Sequence, residues 1–446
     1  MSDFRFSLDR RSLLAAAADV PLAALAATRS TKRDLSTRVP PVNLKLDCGA
    51  VGDGVADDTA ALARAQSRIA RTGQRLVIPA GDYKYSASPN WAIDYLDVVA
   101  EGRVNFYYTG AGDALIFDAG VGAQVCCGVR FAVGNPVHIY APATAHNGIY
   151  VRSVHHSILC ANVHGCGPSP NAALYVAFAV CTEFQVTVSG NEDGGWYPGA
   201  APAIGYFLSE RAPGETTSYC AFPNAVVEAV GIGIYCHATL GNVFVGGTSE
   251  GCKQFGVYCD AKAVIDKFIG MDFEVNKTAD IYCQGSGIEF ISCDTYDAIR
   301  LGGNARRCQI VRGNHEHVLI DKGAQGCTVE NVVYNRRATG GEFVDNGADT
   351  TVNNVRNGVA PYPRWGVGTA AFSTTVNNGT TTTQPIKIAD AKLTDKVKVT
   401  MSASQQGCVV DGYVDRAGIV LATVSNITGS NKTFDAVLTA ELDRGG

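Results

Sequence analysis

A chain of 446 residues with 42 acidic and 37 basic side chains carries a formal net charge of −5, too small to nominate nucleic acid as a partner. Only 18% of its residues are charged, 46% are hydrophobic and 49 are glycine, which favours strands and tight turns over long solvent-facing helices. Beyond residue 27 no stretch holds the roughly 18 uninterrupted apolar residues of a membrane span.

Residues 1–27 read as an export signal. Arg10-Arg11 precede an alanine-rich run that ends in Ala24-Leu25-Ala26-Ala27, small residues of the kind a signal peptidase accepts. The paired arginines resemble a twin-arginine signal, against which stands Asp19, a charge inside the apolar region. The competing reading is an amphipathic helix that docks or oligomerises the mature chain. Export to the periplasm, cell surface or medium is therefore expected, with a phage virion tail as the alternative. A basic linker over 28–44 follows.

The next segment runs Gly52-Asp53-Gly54-Val55-Ala56-Asp57-Asp58-Thr59, then apolar positions at Leu62, Ala65 and Ile69, then Gly73. Asp57 or Asp58 can cap a helix that begins at Thr59 and stops at Gly73. Val77-Ile78-Pro79-Ala80-Gly81-Asp82-Tyr83 follows as a buried strand with a turn. No lysine follows the glycines as a phosphate loop requires. Together these strings resemble the opening of the pectate-lyase superfamily, which includes polygalacturonase-like enzymes and many phage tailspikes. The resemblance implies an all-β fold, a right-handed parallel β-helix (a single-stranded solenoid) over 45–360, with the helix as its N-terminal cap.

Internal repeats point the same way. Phe244, Phe268, Phe290 and Ile310 open similar seven-residue units separated by 24, 22 and 20 residues, the length of one β-helix coil. Over 76–356 this period allows about a dozen turns. Fifteen cysteines in an exported chain suggest disulfides. Yet Ile234-Tyr235-Cys236, Val257-Tyr258-Cys259 and Ile281-Tyr282-Cys283 recur with the coil, so these three are expected as stacked, reduced, buried thiols. Residues 192–217 break the rhythm and read as an ejected loop. From 365 to 446 the sequence becomes Thr/Asn-rich with alternating strands, a small antiparallel, sandwich-like β domain. It resembles tailspike modules that bind sugar or assemble trimers, so a homotrimer is the expected assembly.

Stacking decides which residues can cooperate. Equivalent positions of successive coils lie about 4.8 Å apart, and residues two apart on a strand about 6.6 Å. In the aligned units the fifth position runs Thr248, Asp272, Asp294, Asn314 and the seventh Glu250, Glu274, Tyr296, Glu316, with Glu228 a candidate to extend the second column. Glycoside hydrolysis needs two carboxyls either about 5 Å or about 6.5–9.5 Å apart, and like charges this close keep one protonated. Asp272 with Glu250 or Asp294 is the first candidate pair, and Glu274 the next; a solvated polar ladder is the alternative. Substrate contacts are expected from Trp196 and Tyr197 in the ejected loop and from Arg300, Arg312 and Glu316, since 300–337 is locally basic and suits a uronate polymer. Tyr206 and Tyr219 are weighed as sugar platforms or core. His315 and His317, on the face opposite Glu316, lack a third ligand for zinc. No metal and no cofactor is expected.

The polygalacturonase strings Asn-Thr-Asp, Gly-Asp-Asp and Gly-His-Gly do not occur, and no pectate-lyase calcium pattern is recognisable, so no family catalytic residue is carried over. The expected partner is a polysaccharide. Three readings compete: an exported hydrolase, a lyase that abstracts a proton beside a uronate carboxyl with a Lys, Arg, His or Tyr base, and a non-catalytic carbohydrate-binding adhesin of tailspike type.

Overall fold

The structure, a computed structural model, describes residues 40–122, 124–166, 171–190, 203–335, 340–358, 367–387, 396–401, 408–416 and 419–443. The export signal over 1–27, and Trp196, Tyr197, Arg336 and Arg337, lie outside the described residues. The chain divides into two compact units, Met1–Ile288 and Glu289–Gly446. None of its described helices is long and apolar enough to cross a membrane.

The first unit is a parallel β-solenoid. One sheet stacks Leu76–Tyr85, Asp97–Tyr108, Val137–Tyr140, Ile158–His164, Glu183–Ser189, Ala221–Glu228, Val243–Glu250 and then Lys267–Ile269 with Asp272–Glu274. A second sheet stacks Ile149–His155, Ala172–Val180, Ile204–Leu208, Ile232–Cys236, Phe255–Cys259 and Ala279–Cys283. Where strands of the first sheet bend, successive coils place Asn224, Gly246 and Gly270 in the left-handed region, with φ of 51°, 66° and 62°. Glycine and asparagine tolerate that conformation best, so the corner recurs at the coil period.

The helix spans Thr59–Thr72 and buries Ala61, Leu62, Ala65 and Ile69. Gly73 ends it at φ 65°, its N–H bonded to the Ile69 carbonyl. Asp58 holds the N-cap position, but its carboxylate accepts the Val51 and Gly52 N–H groups (2.7 and 3.1 Å). Asp57 takes the Thr59 N–H instead (2.9 Å), and Asp53 closes a turn on Val55 and Ala56. The motif aspartates are thus occupied in shaping the backbone.

Inside the solenoid, identical residues stack. Phe184, Phe222, Phe244 and Phe268 form a ladder with ring centroids 5.2, 4.4 and 4.6 Å apart. Cys236 pairs in register with Cys259, and Cys259 with Cys283; all three are buried, free thiols, as their recurrence predicts. Tyr206 belongs to the core, its hydroxyl donating to the Val186 carbonyl, whereas Tyr219 is exposed.

One buried carboxylate holds a turn of the coil. Asp266, fully enclosed, accepts from the Thr239 hydroxyl and from both the backbone and side-chain amides of Asn242 (2.8 and 3.0 Å). Burial outweighs these donors and pushes its pKa up to about 6. Because the folded value lies above the unfolded one, the folded state binds the extra proton, and this contribution to stability is lost as pH rises from the unfolded value through about 6. Asp266→Asn is expected to flatten that pH dependence, whose total over the window is on the order of 3 kcal/mol. Urea midpoints measured from pH 4 to 7 check it; an unchanged slope in the variant refutes the assignment.

The second unit contains further parallel strands. Glu289–Ile291, Gln309–Val311, Thr328–Glu330 and Thr351–Asn353 stack in register, as do Ala298–Leu301, His317–Ile320 and Phe343–Asp345. Its last strands form two three-stranded antiparallel sheets around one shared core that includes Phe372, Ile386, Val420, Phe434 and Leu438.

Candidate functional site

Strand register in the first unit assembles a single outward column along the first sheet. It runs Lys84, Tyr107, Tyr140, His164, Ser189, Glu228, Glu250, Glu274, each residue paired with the next. Two residues earlier on each strand a parallel column runs Asp82, Asn105, His138, Asn162, Thr187, Val226, Thr248, Asp272. Strand alternation turns both columns to the same side, and the residues between them, Phe106, Ile139, Val163, Val188, Val227, Ser249 and Phe273, are buried; within the columns Asn105 and Tyr140 are covered as well. Seven steps of about 4.8 Å make a strip about 34 Å long.

The strip changes chemistry along its length. At one end, Tyr107 and Tyr140 stack at 4.8 Å, Tyr140 and His164 at 4.6 Å, and His138 and His164 at 5.4 Å, all within 16° of parallel. His138 Nδ1 lies 3.1 Å from His164 Nε2, and His164 Nδ1 lies 2.8 Å from the Ser189 hydroxyl. Burial, then the neighbouring His138 and Arg103, pushes His164 down to about 4; burial and Arg103 also lower His138. Both imidazoles are therefore neutral near pH 7. Asn105 donates to Asp82 (2.6 Å) and accepts from Arg103 (3.3 Å).

At the other end the strip is acidic. Glu228, Glu250 and Glu274 occupy consecutive coils in register, with Asp272 beside Thr248. All four acidic residues are half-buried, and the Oδ1 of Asp272 is itself shielded from solvent. From coil geometry, neighbouring glutamates are about 4.8 Å apart at the backbone, and Asp272 lies about 8 Å diagonally from Glu250. The predicted residues Asp272, Glu250 and Glu274 thus share one face, joined by Glu228.

Asp294 belongs to the second unit, where its carboxylate accepts both the backbone and side-chain N–H groups of Asn314 (2.8 and 3.0 Å). Glu316 departs from its predicted place on an exposed ladder. It is 3% exposed, at a point where the Asn335 N–H bonds back onto its carbonyl (3.0 Å) and closes the chain over that coil. A substrate contact from Glu316 is therefore withdrawn. His315 and His317 do not share a face either: His315 is buried against the Thr295 hydroxyl (3.0 Å), while His317 opens the next strand and accepts the Glu342 N–H (3.2 Å). A turn between them, rather than one continuous strand, is the reason.

Two members of the basic stretch are engaged, while Arg307 and Lys322 are exposed. Arg300 pairs through Nε with both oxygens of Asp321 (3.0 and 2.9 Å), and Arg306 donates to the carbonyls of Gly303, Ala305 and Gly323. Arg312 is exposed at a left-handed corner, φ 62°. Among the described residues no group of three or more His, Cys, Asp or Glu side chains is placed to hold a metal ion.

The aromatic and imidazole end of the strip escaped the sequence reading. Its signal was present: Asn105-Phe106-Tyr107, His138-Ile139-Tyr140 and Asn162-Val163-His164 repeat a polar–apolar–ring pattern. The coil spacing there, 33 and 24 residues, is too uneven for the later repeats to align with it.

No family model matches this sequence, and no curated protein matches it. Among solved structures it is similar to ORF18 of Geobacillus virus E2, at 13% identity over 94% of this chain and 79% of that one, with a TM-score of 0.45. The tailspike protein of Acinetobacter phage vB_ApiP_P1 is 11% identical over 90% and 87%, with a TM-score of 0.41. The A-module of the Azotobacter vinelandii mannuronan C-5 epimerase AlgE4 is 11% identical over 71% and 96%, with a TM-score of 0.38. All three likenesses are distant and assign this chain neither substrate nor reaction.

Proposed function

We propose that the long strip of the first sheet binds a polysaccharide along the solenoid axis and hydrolyses it at the acidic end. The observation that carries this reading is the pair of registered columns, which place stacked rings and four carboxylates on one straight face. Tyr107 and His164, both half-buried, offer ring edges and polar atoms to sugar hydroxyls, with the buried Tyr140 ring packed between them. Glu250 is flanked by Glu228 and Glu274 on consecutive coils and by Asp272 diagonally, backbone spacings of about 4.8 and about 8 Å from which side chains can reach either separation used by glycosidases. Glu250 and Asp272 are assigned as the reacting pair, with one donating a proton to the leaving oxygen and the other acting as nucleophile or base. Residues 1–27 fit export of such an enzyme, and the helix Thr59–Thr72 fits a cap on the first coil.

A lyase is the second reading. What favours it is the cluster of neutral His138 and His164 beside Tyr140, with Lys84 in the same column and Arg103 bonded to Asn105 at its edge as cations for a uronate carboxyl. Incubation with a panel of neutral, amino-sugar and uronate polysaccharides separates the readings. New reducing ends without absorbance of an unsaturated uronate support hydrolysis; that absorbance supports the lyase. Binding without either product leaves an adhesin and refutes both enzymatic assignments.

A further inference from the structure

The two antiparallel sheets at the C-terminal end have four edge strands, and these are not alike. A sheet edge offers unpaired N–H and C=O groups to any approaching strand, and proteins blunt it with charge, proline or irregularity. Three of the four edges carry such a device. Lys396–Met401 holds Lys396 and Lys398; Thr381–Lys387 holds Pro385 and ends on a lysine. Val409–Arg416 holds Asp411, Asp415 and Arg416, and its register shifts between Val414 and Arg416.

The fourth, Val367–Val376, reads VGTAAFSTTV. It is ten residues long, with no charge, no proline and no break in its register against Lys432–Asp443. Among the described residues no second strand pairs with it, and only its last carbonyl, that of Val376, is taken by the Asn426 side chain (2.7 Å). In an antiparallel strand alternate residues turn their N–H and C=O away from the partner, so about five residues here present both.

We propose that Val367–Val376 is a dimerisation edge, pairing antiparallel with the same strand of a second copy of this chain, in place of the homotrimer expected from the sequence of this domain. Charge favours its own kind as the occupant. Two copies of this edge, uncharged along its whole length, meet without repulsion. The alternation is also self-complementary. Phe372 and Val376 are buried, while Ala371, Ser373 and Thr375 are exposed. Antiparallel pairing about a two-fold axis sets inward beside inward, so the apolar core runs on across the junction and the outer face stays small and polar. Such an isologous contact closes on itself and fuses two three-stranded sheets into one of six.

Sedimentation and light scattering of the full chain, with and without the double substitution Ala371→Lys and Ser373→Lys, test this. Both side chains are already exposed, so the lysines guard the edge without entering the core. The wild type is expected at twice the chain mass and the variant at the single mass with an unchanged far-ultraviolet circular dichroism spectrum. Hydrogen exchange of the wild type gives an independent readout: amides on both sides of the strand should be protected. A monomeric wild type, a threefold mass, a variant that keeps the wild-type mass, or fast exchange of the outward amides would each overturn the proposal.

Discussion

Glu250→Gln is expected to lower turnover by about 10²–10⁴-fold on whichever polysaccharide the wild type cleaves, with little change in binding. The amide keeps the volume and the hydrogen-bonding outline of the carboxyl and removes only its ability to carry charge or exchange a proton. Asp272→Asn should lose a comparable factor, since a glycosidase needs both members of its pair. The two losses should fall well short of multiplying in the double variant, because groups acting in one step are not additive. Asp294→Asn serves as the contrast: that carboxylate is already committed to Asn314, so its loss should be smaller. Steady-state kinetics with binding measured separately decide the matter. Full activity in Glu250→Gln, Asp272→Asn and Glu274→Gln together would falsify the hydrolytic assignment. A collapse in His164→Ala alone would move the chemistry to the neutral imidazoles.

The solenoid was legible because it repeats. Phe244 and Phe268, or Cys236, Cys259 and Cys283, stand one coil apart in the chain and stack in space, so aligning the repeats amounts to reading the register. The same alignment puts Glu250, Glu274, Thr248 and Asp272 on one face, as their register does. It failed where period and secondary structure stop being constant. Glu316 sits at the matching position of its unit, yet the next strand begins at once with His317 and the Asn335 backbone closes over it. Alternation specifies which way a residue points but not what later chain covers it. The Tyr107, Tyr140 and His164 stack was missed for the opposite reason: its coils are uneven in length, so neighbours in space are unequal distances apart in sequence. Charge was the least legible quantity. Seven basic residues over 300–337 suggested a cationic patch, but their number does not tell which are free: Arg300 and Arg306 are spent on Asp321 and on turn carbonyls, whereas Arg307, Arg312 and Lys322 are exposed.

The largest stability loss is expected from Phe244→Ala. Phe244 has no exposed surface and lies between Phe222 at 4.4 Å and Phe268 at 4.6 Å, both rings within 12° of parallel to it. In a solenoid each coil touches only its neighbours, so one ring supplies part of two consecutive coil interfaces. Truncation removes apolar burial and leaves a void that a rigid ladder of strands cannot collapse to fill, a loss of about 3–5 kcal/mol. Val245→Ala on the same strand is the control: that side chain is 48% exposed and should change stability by less than about 0.5 kcal/mol. Phe222→Ala combined with Phe244→Ala should cost less than the sum of the two, because the second truncation removes a contact already lost in the first. Urea unfolding followed by circular dichroism measures the wild type, the three single variants and the double variant. A Phe244→Ala midpoint within error of that for Val245→Ala would mean that the ladder stacks without stabilising the coils, and strand hydrogen bonding alone would then have to hold them together.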